Sequence, residues 1–221
     1  MHKLTWQIIV TVIICSLLLS CISTPALPNN KRPLTWAQVI DPATNLYQVD
    51  QRLYRSQQPK PSDISSLQRL HIGTIINLRP HQTDQDLSAL APLRLIHVPM
   101  RTWAISNAEI AEALIQINHH SQDGGVLVHC QQGADRTGLV IAMYRIIYQQ
   151  WSIKAAQNEM KHGGFGFHPI WINIDQFFNS QHIEAIKNEI QRQQALSQIS
   201  RKASEHKLPA QSKAARLQAA G

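Results

Sequence analysis

The chain has 221 residues, with 21 Lys and Arg against 14 Asp and Glu and a formal net charge of +7. That length holds one ordinary domain with extensions. The basic excess does not describe a nucleic-acid binder: over half of it lies beyond Gln181, where seven Lys and Arg face three Glu with no aromatic residue interleaved and no recognition motif. The eleven histidines show no metal-ligand spacing.

The chain opens on a short basic start, Met1-His2-Lys3, and carries no charged side chain from Leu4 to Asn30. Within that stretch "IIVTVIICSLLLSC" is too short to span a bilayer comfortably and well sized for the apolar core of a signal peptide. "LLSC" resembles the lipobox of bacterial lipoproteins, which implies that residues 1–20 are a signal peptide and that Cys21 is lipidated after cleavage. An ordinary signal peptide or an uncleaved anchor are the other two readings. All three imply export, to the periplasmic side of a bacterial membrane, with the membrane as a partner through the N-terminus. In such an oxidising compartment cysteines usually pair. Cys15 would leave with the signal and Cys21 would carry lipid, so Cys130 is a lone thiol, either buried and inert or kept for its reactivity.

Residues 21–45 are expected to be a linker and residues 46–181 the folded domain. "LYQVDQRLYRS" alternates apolar and polar residues and predicts two short strands around Asp50. "SDISSLQRL" predicts a helix starting near Ser62. "GTIINL" is an interior strand, and "LRLIHVPM" another, stopped by Pro99. "SNAEIAEALIQINHH" opens on a cap and sets Ile110, Leu114 and Ile117 on one face. "GGVLVHC" is a third buried strand, and "TGLVIAMYRIIYQQ", apolar nearly all round, a central helix. "SIKAAQNEMKH" and "IWINIDQFFNSQHIEAI" predict two more. Strands separated by helices give an α/β fold, a central, largely parallel sheet flanked by helices. Residues 182–221 read as a helical extension followed, beyond Ser200, by a flexible basic tail suited to anionic lipid or cell wall.

Chemistry concentrates in "GGVLVHCQQGADRTG". The segment "CQQGADR" joins the C-terminal end of a strand to a helix, where α/β sheets place ligands. Loop N–H groups and the first helical turn offer donors to an anion. Gly133 permits a tight turn, and Arg136 presents a fork that matches two oxygens of a phosphate. The same field favours a thiolate at Cys130. "HCQQGADRTG" resembles the signature of the cysteine-based protein tyrosine phosphatases at His129, Cys130, Gly133, Arg136, Thr137 and Gly138. With "LYRSQQP", "IGTIINLRP" and "HVPM" upstream, the dual-specificity-like branch of small bacterial and fungal members is the nearest match.

That resemblance implies a fold of the dual-specificity type and a set of roles. Cys130 would attack phosphorus; Gln131, Gln132, Gly133, Ala134, Asp135 and Arg136 would bind the phosphate; Thr137 would hydrogen-bond the sulfur; His129 would fix the loop. No metal and no organic cofactor are implied, and the partners would be a phosphorylated protein or a small phosphate ester. The family's usual aspartic acid on a mobile loop is missing from "MRTWAISNAE". Asp135, placed like the acidic residue of the myotubularins, is the favoured proton donor, and Asp84 or Asp86, reaching over from "RPHQTDQDLSAL", are the alternatives. Trp103 is a candidate pocket wall or a packed side chain, Arg55 and Arg79 are candidate cationic neighbours or partners of a carboxylate or a helix end, and "KHGGFGFHPIW" is a pocket rim or a turn pinned by aromatics. No lysine lies between Cys130 and Arg136, which favours singly phosphorylated substrates, phosphotyrosine first. A phosphoinositide or small-ester phosphatase and a non-catalytic phosphate-binding protein are the alternatives.

Overall fold

The computed structural model describes residues 23–81, 84–89 and 91–218, with backbone alone at Ser88 and beyond Ser200. The segment expected to be a signal peptide, with Cys15 and Cys21, lies outside the described residues. One sheet runs in the order β1-β2-β3-β6-β4-β5, with β1 Gln38–Asp41, β2 Leu46–Gln48, β3 Leu53–Ser56, β4 Ile72–Asn77, β5 Arg94–His97 and β6 Gly125–His129. β3, β6, β4 and β5 are parallel, while β1, β2 and β3 pair antiparallel at the edge. The helices are α1 Ile64–Arg69, α2 Gln85–Ser88, α3 Asn107–His120, α4 Asp135–Ile147, α5 Ile153–His162, α6 Ile172–Asp175 and α7 Ser180–Gln218.

Of the parallel strands β3, β6 and β4 are buried on both faces, whereas β5 is a partly exposed edge, and the inner side chains sort by the two-residue period of a strand. Leu53, Ile76, Val126 and Val128 point into one core with α3, α4 and α7 residues such as Leu114, Leu139 and Ile186. Tyr54, Ile75 and Leu127 point into the other, against Ile64 and Leu67 of α1 and Leu87 of α2. β6 lies between β3 and β4, so the loop that follows it emerges at the middle of the sheet. α3 starts where the sequence predicts: Ser106 accepts from the Glu109 N–H and Glu109 returns a bond to the Ser106 N–H, a complete capping box. α4 is buried nearly all round, as its composition predicts.

Three expectations are corrected. Of the expected linker, residues 21–45, the described part from residue 23 on is packed against the domain: Trp36 and Ala37 are buried, β1 extends the sheet, and Thr24 and Leu27 donate to the carbonyls of Phe167 and His162. The reason is a buried ion pair. Arg145 of α4 grips Glu159 of α5 with two bonds of 2.9 and 2.8 Å, and Glu159 also accepts the Ala37 N–H at 2.6 Å. The segment beyond Ser200, expected to be flexible, continues α7 in its backbone to Gln218. The predicted helix over "IWINIDQFFNSQHIEAI" is two: α6 ends after one turn, and Asn179, whose Oδ1 accepts the His182 N–H at 2.9 Å, starts α7.

Candidate active site

The loop Cys130–Ala134 links β6 to α4. A peptide plane holds its C=O and the next residue's N–H on opposite sides, so an outward-tied carbonyl turns the following N–H inward. Each carbonyl of this loop is tied. Cys130 O lies 3.0 Å from His129 Nδ1. Gln131 O accepts from the Gln58 N–H at 3.2 Å, and Gln132 O from Asn45 Nδ2 at 2.8 Å. Gly133 O accepts from Arg55 at 2.6 Å, and Ala134 O from the Gly138 N–H at 2.8 Å. The N–H groups from Gln131 to Asp135 therefore converge at the N-terminus of α4, an arrangement that binds an anion. Gly133 has φ +71°, which a residue with a side chain rarely adopts.

Around this loop the predicted residues come together. Cys130 is buried and free of any disulfide. Arg136 reaches across, donating to the carbonyls of Leu78 and Met100 at 3.3 Å each, and its buried Nε has no partner. Arg136, Gln131, Arg79, His81, Thr102 and Trp103 line a cleft of about 320 Å³. Trp103 is 65% exposed there, so it walls the cleft rather than packing in the core. Arg79 donates to Gln58, and its partial burial lowers its pKa, reinforced by Arg136 and opposed by Asp84 and Cys130. A second cavity, about 290 Å³ between β2 and α1, holds none of the predicted phosphate-binding residues.

Other positions differ from expectation. Arg55 does not border the cleft; it lies under the loop with its guanidinium 3.7 Å from the Phe165 ring centre, and burial pushes its pKa down to about 10, so it stays cationic at neutral pH. Thr137 does not bond the sulfur here; its buried hydroxyl has no partner. Asp84 does not reach over the cleft. It is buried beneath the loop, where His129 holds it with Nε2 2.8 Å from Oδ2. Asp86 is exposed. Asp135 accepts the backbone N–H of His168 at 2.9 Å, and His168 Nδ1 lies 3.1 and 3.0 Å from its two oxygens. "KHGGFGFHPIW" is thus both a turn and a flank of the loop. Gly164 and Gly166 have φ +81°, Phe165 and Phe167 are buried, and His168 docks on Asp135.

Sequence reasoning missed Asn45, and it singled out the stretch that holds His168 without pairing that histidine with Asp135. Asn45 sits at φ 52°, a conformation asparagine tolerates, and the "TNL" turn is the visible trace of it. Nothing in the sequence tells that its amide reaches Gln132, 87 residues away. Among the described residues no group of His, Cys, Asp and Glu is arranged to hold a metal, and no helix is long and apolar enough to cross a membrane.

The sequence model of the tyrosine phosphatase family matches residues 39–205, well over half of the chain. The chain belongs to that family. The dual specificity protein phosphatase TpbA of Pseudomonas aeruginosa is 40% identical over 135 residues, which make up 61% of this chain and 62% of that protein. The chain thus spans less than two thirds of the length of this curated relative. The crystal structure of a Cys-to-Ser variant of P. aeruginosa TpbA in complex with pTyr superposes with a TM-score of 0.66 at 33% identity, covering 72% of this chain and 98% of that one. The catalytic core of the PP-IP phosphatase SIW14 from S. cerevisiae, in complex with citrate, gives 0.55 at 27% identity, covering 69% and 95%.

Proposed function

We propose that the chain hydrolyses phosphate monoesters, phosphotyrosine in a protein foremost, through a phosphocysteine at Cys130. The observation that carries this reading is the outward tethering of every carbonyl from Cys130 to Ala134, which leaves a ring of N–H groups with Arg136 beside a buried thiol. The Cys130 thiolate attacks phosphorus as the ester P–O bond breaks. The N–H groups and Arg136 bind the equatorial oxygens, where charge accumulates. Water then attacks the phosphocysteine, releasing inorganic phosphate and the thiolate.

The leaving oxygen takes its proton from the Asp135–His168 pair, a carboxylate–imidazole pair on the flank of the loop that is partly open to solvent. Trp103 beside the cleft supports an aromatic ester, since its exposed ring offers a face to a phenyl group. The likeness to TpbA, whose variant binds pTyr, supports the same substrate.

Turnover of p-nitrophenyl phosphate that Cys130→Ser abolishes is the expected result; phosphate binding without turnover would leave a binding protein instead. A panel of phosphotyrosine, phosphoserine and phosphothreonine peptides, a phosphoinositide and an inositol pyrophosphate assigns the substrate. Faster hydrolysis of either inositol compound than of the tyrosine peptide would overturn the substrate class and keep the chemistry. Asp135→Asn and His168→Gln should slow an alkyl phosphate by about two orders of magnitude more than p-nitrophenyl phosphate, whose leaving group needs little protonation.

The N-terminal reading is likewise proposed: export and lipidation at Cys21, supported by the apolar run and "LLSC". Labelling with a radioactive fatty acid in a bacterial host should mark the wild type and not Cys21→Ala. Label retained by the variant would refute lipidation at this position.

A further inference from the structure

His129 is fully buried, and both of its ring nitrogens face oxygen acceptors: Nδ1 the Cys130 carbonyl at 3.0 Å and Nε2 the Asp84 carboxyl at 2.8 Å. A neutral imidazole has one N–H to give. Two acceptors therefore require two protons within the His129–Asp84 pair. Either the ring carries both against a carboxylate, or Asp84 is protonated and donates to Nε2 while the ring proton sits on Nδ1. In both arrangements Nδ1 is the donor toward Cys130, and in both Asp84 makes it so.

Asp84 occupies the N-cap position of α2, where an aspartate usually accepts from the helix's own first N–H groups. Its side chain makes no such bond. It turns inward, is almost fully buried, and its second oxygen has no hydrogen-bond partner. His129 is the carboxyl's single hydrogen-bond partner among the described residues.

We propose that Asp84 is a positioning residue, which locks the His129 ring with Nδ1–H on the Cys130 carbonyl and so aims the first N–H of the phosphate loop while keeping a proton behind the nucleophile. It acts from the connection between β4 and β5, whose first residues, Arg79 and His81, line the cleft. The floor of the site and one of its walls are thereby fastened together across 45 residues of chain. This role rests on the phosphatase reading above. Besides His129 and Asp84, the charged groups that bear on the nucleophile's surroundings are Arg55 from β3, Arg79 at the end of β4 and Arg136 on α4.

The test reads the thiol directly, so it stands apart from turnover. Alkylation of Cys130 by iodoacetamide, followed by peptide mass across pH 4 to 9, gives the midpoint of thiolate formation for wild type, Asp84→Leu and His129→Asn. Asp84→Leu keeps the approximate volume and can neither accept from Nε2 nor donate to it, so neither arrangement of the pair survives. It should raise the midpoint by about one pH unit, a roughly tenfold loss of thiolate at lower pH, with a melting curve still cooperative. In the His129→Asn background the same substitution should have no further effect, since Asp84 works through the ring. An unchanged midpoint in folded Asp84→Leu, or fully additive shifts in the double variant, would overturn the proposal. If the variant fails to fold, nitrogen-15 NMR of the wild-type imidazole decides: a proton on Nδ1, hydrogen-bonded, supports it, and an unprotonated Nδ1 refutes it. Absence of p-nitrophenyl phosphate turnover in the wild type would instead strike the function and leave this positioning question answerable.

Discussion

At Gly133 the backbone sits at φ +71°, and a methyl group built there would lie 2.3 Å from the Ser56 carbonyl oxygen. Both β3 and the loop are fixed, so Gly133→Ala must prise them apart and turn the Ala134 N–H away. We expect kcat/KM for p-nitrophenyl phosphate to fall about a hundredfold, the cost of displacing a catalytic group by an ångström, and inhibition by inorganic phosphate to weaken alongside. Arg136→Lys keeps the charge and loses the planar fork. Steady-state kinetics should show kcat falling by about two to three orders of magnitude, as for loss of a donor to transition-state charge. At this scale the sequence is legible where spacing alone dictates geometry, as for Cys130, Gly133 and Arg136. It is opaque where topology recruits a distant side chain. Asn45, Asp84 and His168 meet the loop from 87, 45 and 33 residues away, and Asp84 stands where a helix cap would stand.

Between elements, the Arg145–Glu159 pair is the joint that the apolar pattern conceals. Both side chains are almost completely buried, and Trp151 covers the guanidinium at 4.3 Å. Burying two charges gains little by itself, but removing one partner strands the other in a dry core. Glu159→Ala should therefore cost about 3–5 kcal/mol of unfolding free energy, read by urea denaturation. It should also free the Ala37 N–H, so limited proteolysis should cut the variant between Lys31 and Trp36 before the wild type. The strands and helices themselves are readable because hydrophobic period reports burial. The error over residues 21–45 arose because their anchorage is an ion pair and a backbone bond, neither of which leaves an apolar period to read.

For the molecule as a whole, the folded unit begins well before Leu46, and along α7 the burial of described side chains fades after Ile190. Trp36, Ala37 and β1 belong to the sheet's edge and its core, whereas among the described side chains of α7 the last buried one is Ile190, with Leu196 and Ile199 exposed. A chain starting at Leu46 leaves Glu159 without its backbone partner and exposes β2 as a new edge. One ending at Ser200 keeps every buried side chain of the described residues and sheds five of the 21 Lys and Arg. The two truncations should thus part company. The C-terminal one should melt within a few degrees of the full chain and turn over p-nitrophenyl phosphate at the same rate. The N-terminal one should melt far lower or aggregate. Binding to anionic vesicles should follow the opposite order, lost with the basic tail and kept with the N-terminal deletion under conditions where it stays folded, because the tail's charge acts on the surface field and not on the core. Equal melting of both truncations would return residues 23–45 to the status of a linker.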